Sequence, residues 1–402
     1  MTRSPLLPIF LIVLVDILGY TIILPLLPFY AERLGASPFV VGTLISTYAI
    51  CQLVAGPVLG SMSDRMGRRP LLIVSQIGTL IGFLILSQAT VLWVIFLSRI
   101  IDGLTAGNLS LAQAYIVDVT EPKNRAKSFG VIGIAFGVGF LIGPAISGFL
   151  AGYGYAYPIY AAALLSFTSI CCTWALLPQA TPASSAGDSG PGGRRLGLLE
   201  WSSYLEYFRR PELRELLTSF FLFALCFSGF VSGFALFAQR RFFWNGHPFG
   251  AKEVGYLFAF SGFLGVILQG GLIGRLVKWL GEPKLVKTGF LAAAVGYGLL
   301  AVIYRIPGLL ATSAIATYGT GVLRPAVTSL ITQKASKREQ GVVLGLTQSL
   351  TSIAQILAPV LSGLLIDRGW LAAWAMFPAA IAFCGFLVSS HATSMHTAVV
   401  RD

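Results

Sequence analysis

The feature that most constrains this chain is a succession of apolar runs, each near or above the roughly 20 residues an α-helix needs to cross a bilayer. We place twelve of them, at residues 6–29, 39–61, 70–88, 91–117, 127–150, 155–177, 215–239, 253–274, 285–304, 308–332, 341–366 and 370–390. Inside hydrocarbon every backbone N–H and C=O must be satisfied within the protein, so only helices and closed barrels can span it. Barrel strands are about ten residues of alternating polarity, and these runs are too long and too continuous for that. The expected fold is therefore an all-α membrane protein of twelve transmembrane helices. Only 11% of the residues are charged and the mean hydropathy is +0.79, against about 25% charge in a soluble globular chain. The first run is too long for the apolar segment of a cleavable signal and lacks a convincing cleavage site.

A net charge of +12 would fit a nucleic-acid partner if it were gathered on one surface, but its distribution points to topology. With the N-terminus inside, the segments on that side hold 20 of the 28 basic residues and the opposite side holds six; Arg99 and Arg324 remain within spans. The positive-inside rule then puts both termini in the cytoplasm, and no nucleic-acid partner is expected. The cysteines (Cys51, Cys171, Cys172, Cys226 and Cys384) all fall in spans without metal-ligand spacing and read as small apolar fillers. His247, His391 and His396 lie in loops or the tail, and no phosphate-cradling loop is present. No catalysis, metal or cofactor is expected, and the chain is not read as an enzyme.

Residues 178–214 break the apolar pattern. Pro178, Pro182 and Pro191 flank a Ser/Gly-rich run of linker composition, followed by basic residues and an amphipathic piece, Trp201 to Phe208, suited to a membrane surface. The linker separates two six-span bundles, residues 1–177 and 215–402. The bundles resemble each other. At an offset of 214, Gly56, Gly60, Gly67, Leu71 and Gly107 match Gly270, Gly274, Gly281, Leu285 and Gly321; at 215, Pro144, Ser147 and Gly148 match Pro359, Ser362 and Gly363. Colinear matches of this kind predict a duplicated, pseudo-symmetric bundle. Transporters built from repeats hold solute near the midplane and alternate by rocking one repeat against the other.

Between spans 2 and 3 runs Gly60-Ser61-Met62-Ser63-Asp64-Arg65-Met66-Gly67-Arg68-Arg69. It resembles the loop signature of the major facilitator superfamily, G-x-x-x-D-R-x-G-R-R. Asp64 and Arg68 share a face if the segment is helical, and the glycines permit a tight turn. The resemblance implies a cytoplasmic latch formed by Gly60, Asp64, Arg65, Gly67, Arg68 and Arg69, with the arginine paired to an acid at the end of span 4, where Asp118 stands. Three further stretches resemble the drug/proton antiporter branch of twelve spans, and within it the tetracycline efflux proteins. They are Asp16-Ile17-Leu18-Gly19 with Ile22-Ile23-Leu24-Pro25 in span 1, Leu97-Ser98-Arg99-Ile100-Ile101-Asp102-Gly103 in span 4, and the span 5 antiporter motif around Gly139, Gly143, Pro144 and Gly148. Two positions depart from the pattern: Asp102 replaces the usual glutamine, and Ser147 replaces a glycine.

A charge at the bilayer centre costs at least about 2.5–3.5 kcal/mol on insertion scales, so an ionisable group inside a span needs a compensating role. Asp16, Arg99, Asp102 and Arg324 are the four clear cases. Arg99 and Asp102 are three apart and share a face of span 4. At 100° per residue along one continuous helix, Ser110 and Gln113 fall with them in an arc of roughly 80°, a polar stripe facing a cavity, with Asn108 opposite as an interhelical contact. The Arg99–Asp102 pair is either a buried salt bridge that fixes packing, a poor source of stability because desolvation can exceed the attraction, or an element of proton coupling and substrate binding. Asp16 is either a reversible proton carrier or a hydrogen-bonded structural carboxyl. Arg324, beside Pro325, which is expected to break span 10, either attracts an anionic group or pairs with Asp16. In span 7, Phe223, Phe227, Phe230, Phe234 and Phe237 form one aromatic stripe. It is either a wall of the substrate pocket, with Phe227 and Phe234 facing the solute, or a helix and lipid contact with Gly229 and Gly233 allowing close approach.

Taken with the resemblance, these residues lead to the expectation of a secondary active transporter. It would be a proton-coupled antiporter exporting a small amphipathic organic compound or drug by alternating access. The alternative is a uniporter or proton symporter of a charged metabolite such as an organic anion; a scaffold that kept the fold would move no solute. Expected partners are the solute, protons and the bilayer of the cell (inner) membrane, with the chain acting as a monomer. The charge asymmetry predicts that cysteines introduced at Gly187 and in the C-terminal tail react with an impermeant thiol reagent only after the cells are opened. Labelling of either in intact cells contradicts the assigned topology.

Overall fold

The computed structural model describes residues 6–119, 125–177, 207–335 and 339–399, and within them the side chains of residues 10–63, 65–116, 134–177, 207–335, 339 and 342–390. Helices follow the apolar runs: α1 Leu6–Arg33, α2 Pro38–Met66, α3 Arg68–Ser87, α4 Leu92–Thr105, α5 Asn108–Val119, α6 Arg125–Ala151, α7 Ala156–Leu176, α8 Pro211–Arg241, α9 Ala251–Ile267, α10 Ile273–Leu280, α11 Glu282–Leu299, α12 Ile306–Lys334, α13 Gln340–Asp367 and α14 Leu371–Val399. Eleven spans are long and apolar enough to cross a membrane; one of them joins α4 to α5, and another joins α9 to α10 through a π-helical turn at Leu268–Leu272. The twelfth is α11, whose first two turns carry Glu282, Lys284 and Lys287 while the rest is apolar.

Local chemistry explains several boundaries. Ser37 caps α2 by accepting the Val40 N–H at 3.4 Å, and Pro38 occupies the first helical position, where no N–H is needed. Gly67 joins α2 to α3 at φ 95°, a conformation that favours glycine. Other expectations are corrected. Pro325 lies inside an unbroken α12; membrane helices tolerate proline where neighbouring groups re-satisfy the freed carbonyl. Span 4 is interrupted between Thr105 and Asn108. A short hairpin, β1 Phe243–Trp244 against β2 His247–Pro248, turns through Asn245 and Gly246, both at positive φ. The helix of span 7 begins at Pro211 and so takes in the last four residues of the expected linker region. The amphipathic piece around Trp201 lies mostly outside the described residues.

The chain divides into two compact units, Met1–Asp188 with Phe249–Gly262, and Ser189–Pro248 with Phe263–Asp402. In the first, α1 packs on α6 and α7, and α3 packs on α4 and α7; in the second, α8 packs on α13 and α14, and α11 packs on α12 and α14. These are the same pairs, one repeat later. The residue matches hold in detail. Gly281 links α10 to α11 at φ 72°, ψ 154°, as Gly67 links α2 to α3 at φ 95°, ψ 154°. Leu71 and Leu285 are both buried. A Cβ on Gly107 would meet Leu59 at 3.0 Å, and one on Gly321 would meet Leu268 at 2.7 Å.

Glycines let helices touch where lipid offers no hydrophobic drive for association. On α6, a Cβ at Gly139 would run into Ile17 of α1 and one at Gly143 into Thr21, whose hydroxyl donates to the Gly139 carbonyl at 2.9 Å. In the second unit Gly233 forms the seat of Trp374. Valine at Gly143 is therefore expected to destabilise the protein by about 1–3 kcal/mol through overpacking, lowering its thermal midpoint in detergent. Gly60→Ala, where a Cβ has nothing within 4 Å, should leave the midpoint unchanged. Equal behaviour of the two variants counts against this packing.

Candidate functional site

The charged centre of the first unit is built on the close approach of α3, α4 and α2. A Cβ on Gly82 would lie 3.0 Å from the Asp102 Cβ and 3.2 Å from the Ser98 carbonyl, and one on Gly103 would lie 2.7 Å from the Tyr48 carbonyl. These glycines bring the backbones together and bury the pair between them. Arg99 Nη1 meets Asp102 Oδ2 at 3.2 Å, with the two side chains 7% and 8% exposed. Thr79 of α3 hydrogen-bonds the Asp102 carboxylate. The Arg99 Nε donates to Ser98 Oγ at 3.4 Å, and its Cζ sits 5.9 Å from the centre of the Phe83 ring. Arg99 Nη2 is buried and has no partner. One guanidinium nitrogen is thus aimed at an acceptor that the protein itself does not supply.

Asp16, half-buried on α1, accepts a hydrogen bond from Ser169 Oγ of α7 at 2.9 Å, and Gln76 Nε2 of α3 donates to the same Ser169 Oγ at 2.8 Å. Asp102 is close enough to Asp16 to repel it electrostatically. Two phenols, Tyr20 on α1 and Tyr48 on α2, lie within electrostatic reach of Arg99. The sequence singled out Asp16, Arg99 and Asp102, and the structure brings them into one cluster. It did not single out Gln76, Ser169, Thr79, Tyr20 or Tyr48. A polar residue in mid-span was the available signal, but hydroxyls also bond their own helix backbone, so the signal was weak.

The polar stripe continuing to Ser110 and Gln113 is corrected. Its phase assumed one helix, and the helix stops at Thr105. There Ser75 of α3 donates to the Thr105 carbonyl and accepts the Gly107 N–H at 3.0 Å, satisfying groups freed by the break. Ser110 is exposed and donates to the Gly107 carbonyl at 3.0 Å, and Gln113 is half-buried. Asn108 keeps a buried, unpartnered Oδ1.

In the second unit Arg324 is exposed on α12. The phenylalanine stripe packs largely as core. Phe234 and Phe237 are 1% and 0% exposed, Phe237 stacks on Trp374 at 4.5 Å, and Phe230 stacks on Tyr297 at 4.8 Å. Phe234 therefore offers no free face to a solute, whereas Phe227, stacked on Phe223 at 6.0 Å, remains half-buried.

At the latch, Arg68 is buried and its Nη1 donates to Ser63 Oγ, Arg69 donates to the Trp174 carbonyl, and Arg65 is exposed. The Asp64 and Asp118 side chains lie outside the described residues. The second unit carries a charge-inverted counterpart. Lys278 stands one repeat after Asp64, and Glu282 one repeat after Arg68. Glu282 accepts from Ser329 Oγ at 2.6 Å and from Gln333 Nε2 at 2.7 Å, both on α12. Nearby, Lys334 pairs with Glu212 at 3.1 Å and Arg210 with Glu339 at 2.8 Å. The span 5 motif is a contact surface: besides Gly139 and Gly143 against α1, a Cβ on Gly148 would lie 2.8 Å from the Lys252 carbonyl, and one on Gly255 would lie 2.6 Å from that of Pro144.

A duplicated helical bundle with an ion pair buried at membrane depth defines a polytopic transporter, not an enzyme. The chain belongs to the major facilitator superfamily, whose family model matches residues 9–303 and 272–396. It is 30% identical over 369 residues to the class B tetracycline resistance protein of Escherichia coli, covering 90% of this chain and 89% of that one. It is 27% identical over 367 residues to multidrug resistance protein 2 of Bacillus subtilis, covering 89% of each. Among solved structures, the human organic anion transporter MFSD10 superposes with a TM-score of 0.72 at 22% identity, covering 96% of this chain and 100% of that one. A peptide transporter superposes with a TM-score of 0.77 at 14% identity, covering 98% and 95%.

Ser75→Ala is expected to leave the Thr105 carbonyl and the Gly107 N–H with only the 2.8 Å hydrogen bond they make to each other, at about 0.5–1.5 kcal/mol for each hydrogen bond removed. A thermal midpoint equal to wild type would show that the break in span 4 does not depend on that hydroxyl.

Proposed function

We propose that this chain is a proton-coupled antiporter that exports a small amphipathic organic compound by alternating access. The observation that carries the reading is Arg99, buried beside Asp102 with one guanidinium nitrogen unpartnered. A structural pair that existed only to hold helices together would be expected to satisfy all its donors, because an unsatisfied buried charge is strongly destabilising. An unfilled donor at membrane depth instead awaits an acceptor atom on a solute. Asp16 and Asp102 supply two acids whose charges repel, so occupancy of one by a proton eases ionisation of the other. Proton and solute then compete for one charged centre, which is the requirement for antiport. Phe83 and the two tyrosines offer aromatic faces beside it, suited to a planar solute.

The same unpartnered nitrogen favours a second reading, a symporter or uniporter of an organic anion drawn to Arg99 and Arg324. The latch residues Gly60, Asp64, Arg65, Gly67, Arg68, Arg69 and Asp118 would set the balance between the two access states, while the bundle residues 1–177 and 215–402 rock as two bodies about the linker 178–214. Both termini are assigned to the cytoplasm, and the working unit to a monomer in the cell membrane.

The test is flux in proteoliposomes with and without a pH gradient, using amphipathic drugs and organic anions that raise the protein's thermal midpoint. Asp102→Asn should reduce gradient-driven flux at least tenfold. Arg99→Leu alone should also cost about 3–5 kcal/mol of stability, as removal of one partner of a buried pair does. The double variant Arg99→Met with Asp102→Leu should regain that stability without regaining flux. Wild-type gradient-driven flux in the double variant would make the pair structural, and solute moving with the proton gradient rather than against it would favour the symporter.

A further inference from the structure

Gln76 and Ser169 have no part in the coupling scheme above, yet both are fully buried polar side chains turned toward its titratable acid. The hydrogen bonds run in one direction. Gln76 Nε2 donates to Ser169 Oγ at 2.8 Å, and Ser169 Oγ donates to Asp16 Oδ1 at 2.9 Å. Three helices, α3, α7 and α1, meet in this chain of donors, and the Gln76 side chain also interacts with the Asp16 carboxylate. The other end of the same amide, Oε1, is buried and has no partner. An ionised carboxylate only accepts, and is well served by this arrangement. A protonated carboxyl gains an O–H that must donate, and the unpartnered Gln76 carbonyl is the acceptor within the cluster.

We propose that Gln76, Ser169 and Asp16 together form the proton-binding site, with Gln76 a positioning residue whose amide donates to the ionised acid and accepts from the protonated one. The proposal rests on Asp16 being a proton carrier. The amide turns about its terminal bond to present nitrogen or oxygen, and Ser169, able to donate or accept, follows it. A proton enters from the solvent on one side of the membrane onto one carboxylate oxygen and leaves to the solvent on the other side after the access state changes; no other bond is made or broken. The unsatisfied oxygen in the ionised state weakens that state's advantage, and an unsatisfied acid O–H would weaken the protonated state if Gln76 were apolar. With Gln76 present, neither form is stranded in a region where an unmet hydrogen bond is costly.

Two titratable groups act on Asp16 electrostatically, Asp102 on α4 and Tyr48 on α2; Arg99 pairs with Asp102, and Tyr20, four residues on along α1, is within reach of Arg99. The facing groups from α3 and α7 in the network are the neutral Gln76 and Ser169, and the described side chains of α6, residues 134–151, include no ionisable group. The site is therefore electrostatically tied to the Arg99–Asp102 pair but hydrogen-bonded through α3 and α7.

The test needs no solute. Full-length protein in lipid is titrated while the carbonyl stretch of protonated carboxyls is followed by infrared difference spectroscopy. Wild type should show a band that Asp16→Asn lacks. In Gln76→Leu that band should move to higher frequency, because the protonated acid has lost its acceptor. Its midpoint should still move up, because the charge-assisted donation lost by the carboxylate outweighs the acceptance lost by the acid. Ser169→Ala, which removes only a hydroxyl, should shift the midpoint in the same direction and serves if Gln76→Leu does not fold. A band present in wild type and absent in Asp16→Asn, but unchanged in frequency and midpoint in the Gln76 and Ser169 variants, overturns the proposal and leaves Asp16 as a carrier. A titration in which Asp16→Asn loses no band overturns both the carrier role and the site.

Discussion

Hydrocarbon neither donates nor accepts hydrogen bonds, and the rest of this structure depends on that fact. Each span must close its own backbone ladder, so the chain is helix almost wherever it crosses the membrane. Where a ladder opens, a side chain from a neighbouring helix fills the gap, as Ser75 does at the interruption between α4 and α5. The same rule gives meaning to exceptions. Gln76 Oε1 and Arg99 Nη2 are buried without partners beside Asp16 and Asp102. A buried orphan in hydrocarbon costs stability, and its retention at a charged centre points to use rather than to careless packing. Asn108 Oδ1, Ser147 Oγ and Trp374 Nε1 are buried orphans too; that of Trp374 lies in a packed aromatic core against Gly233 and Phe237, away from any ionisable cluster.

Because lipid removes the usual hydrophobic drive for helices to associate, small residues decide how near they come. Gly82 and Gly103 let α4 reach α3 and α2, and this approach is what buries Arg99 and Asp102 together. Gly139 and Gly143 bring α6 onto α1, the helix that carries Asp16. The motif glycines are thus connected to the charged cluster through the helices they position. Glycines with open space beyond them, Gly56 and Gly60 on α2 and Gly270 and Gly274 one repeat later, place the symmetry of the duplication at the level of single residues.

The duplication also shows how much chemistry can change on a kept backbone. Gly67 and Gly281 hold nearly the same conformation, while the charges beside them invert: Arg68 becomes Glu282 and Asp64 becomes Lys278. The first unit concentrates its ionisable groups at membrane depth. The second places its ion pairs, Arg210 with Glu339 and Lys334 with Glu212, at helix ends, and fills its interior with aromatic rings. Two halves of one architecture therefore differ in chemistry, and among the described residues the buried ion pair lies in the first.

The fold was legible in the sequence because its determinants are local or periodic. Run length reports bilayer thickness, and colinear glycines report the repeat. The intramembrane charges Asp16, Arg99, Asp102 and Arg324 were equally legible, since a charge in an apolar run is costly and stands out. What the sequence could not decide was which polar groups meet. The stripe drawn from Arg99 to Gln113 assumed a continuous helix, and only tertiary packing, with Ser75 of another helix taking up the freed groups, permits the break that ends it. The stripe that includes Phe234 left two readings, pocket wall or helix contact, and Tyr297 and Trp374, distant in sequence, pack against it as core. Gln76 and Ser169 are unremarkable in their own spans and become a site only where α1, α3 and α7 converge on one carboxyl. Hydrophobic length is summed along the chain and can be read from it; a hydrogen bond between residues 93 positions apart exists only once the helices have chosen their neighbours.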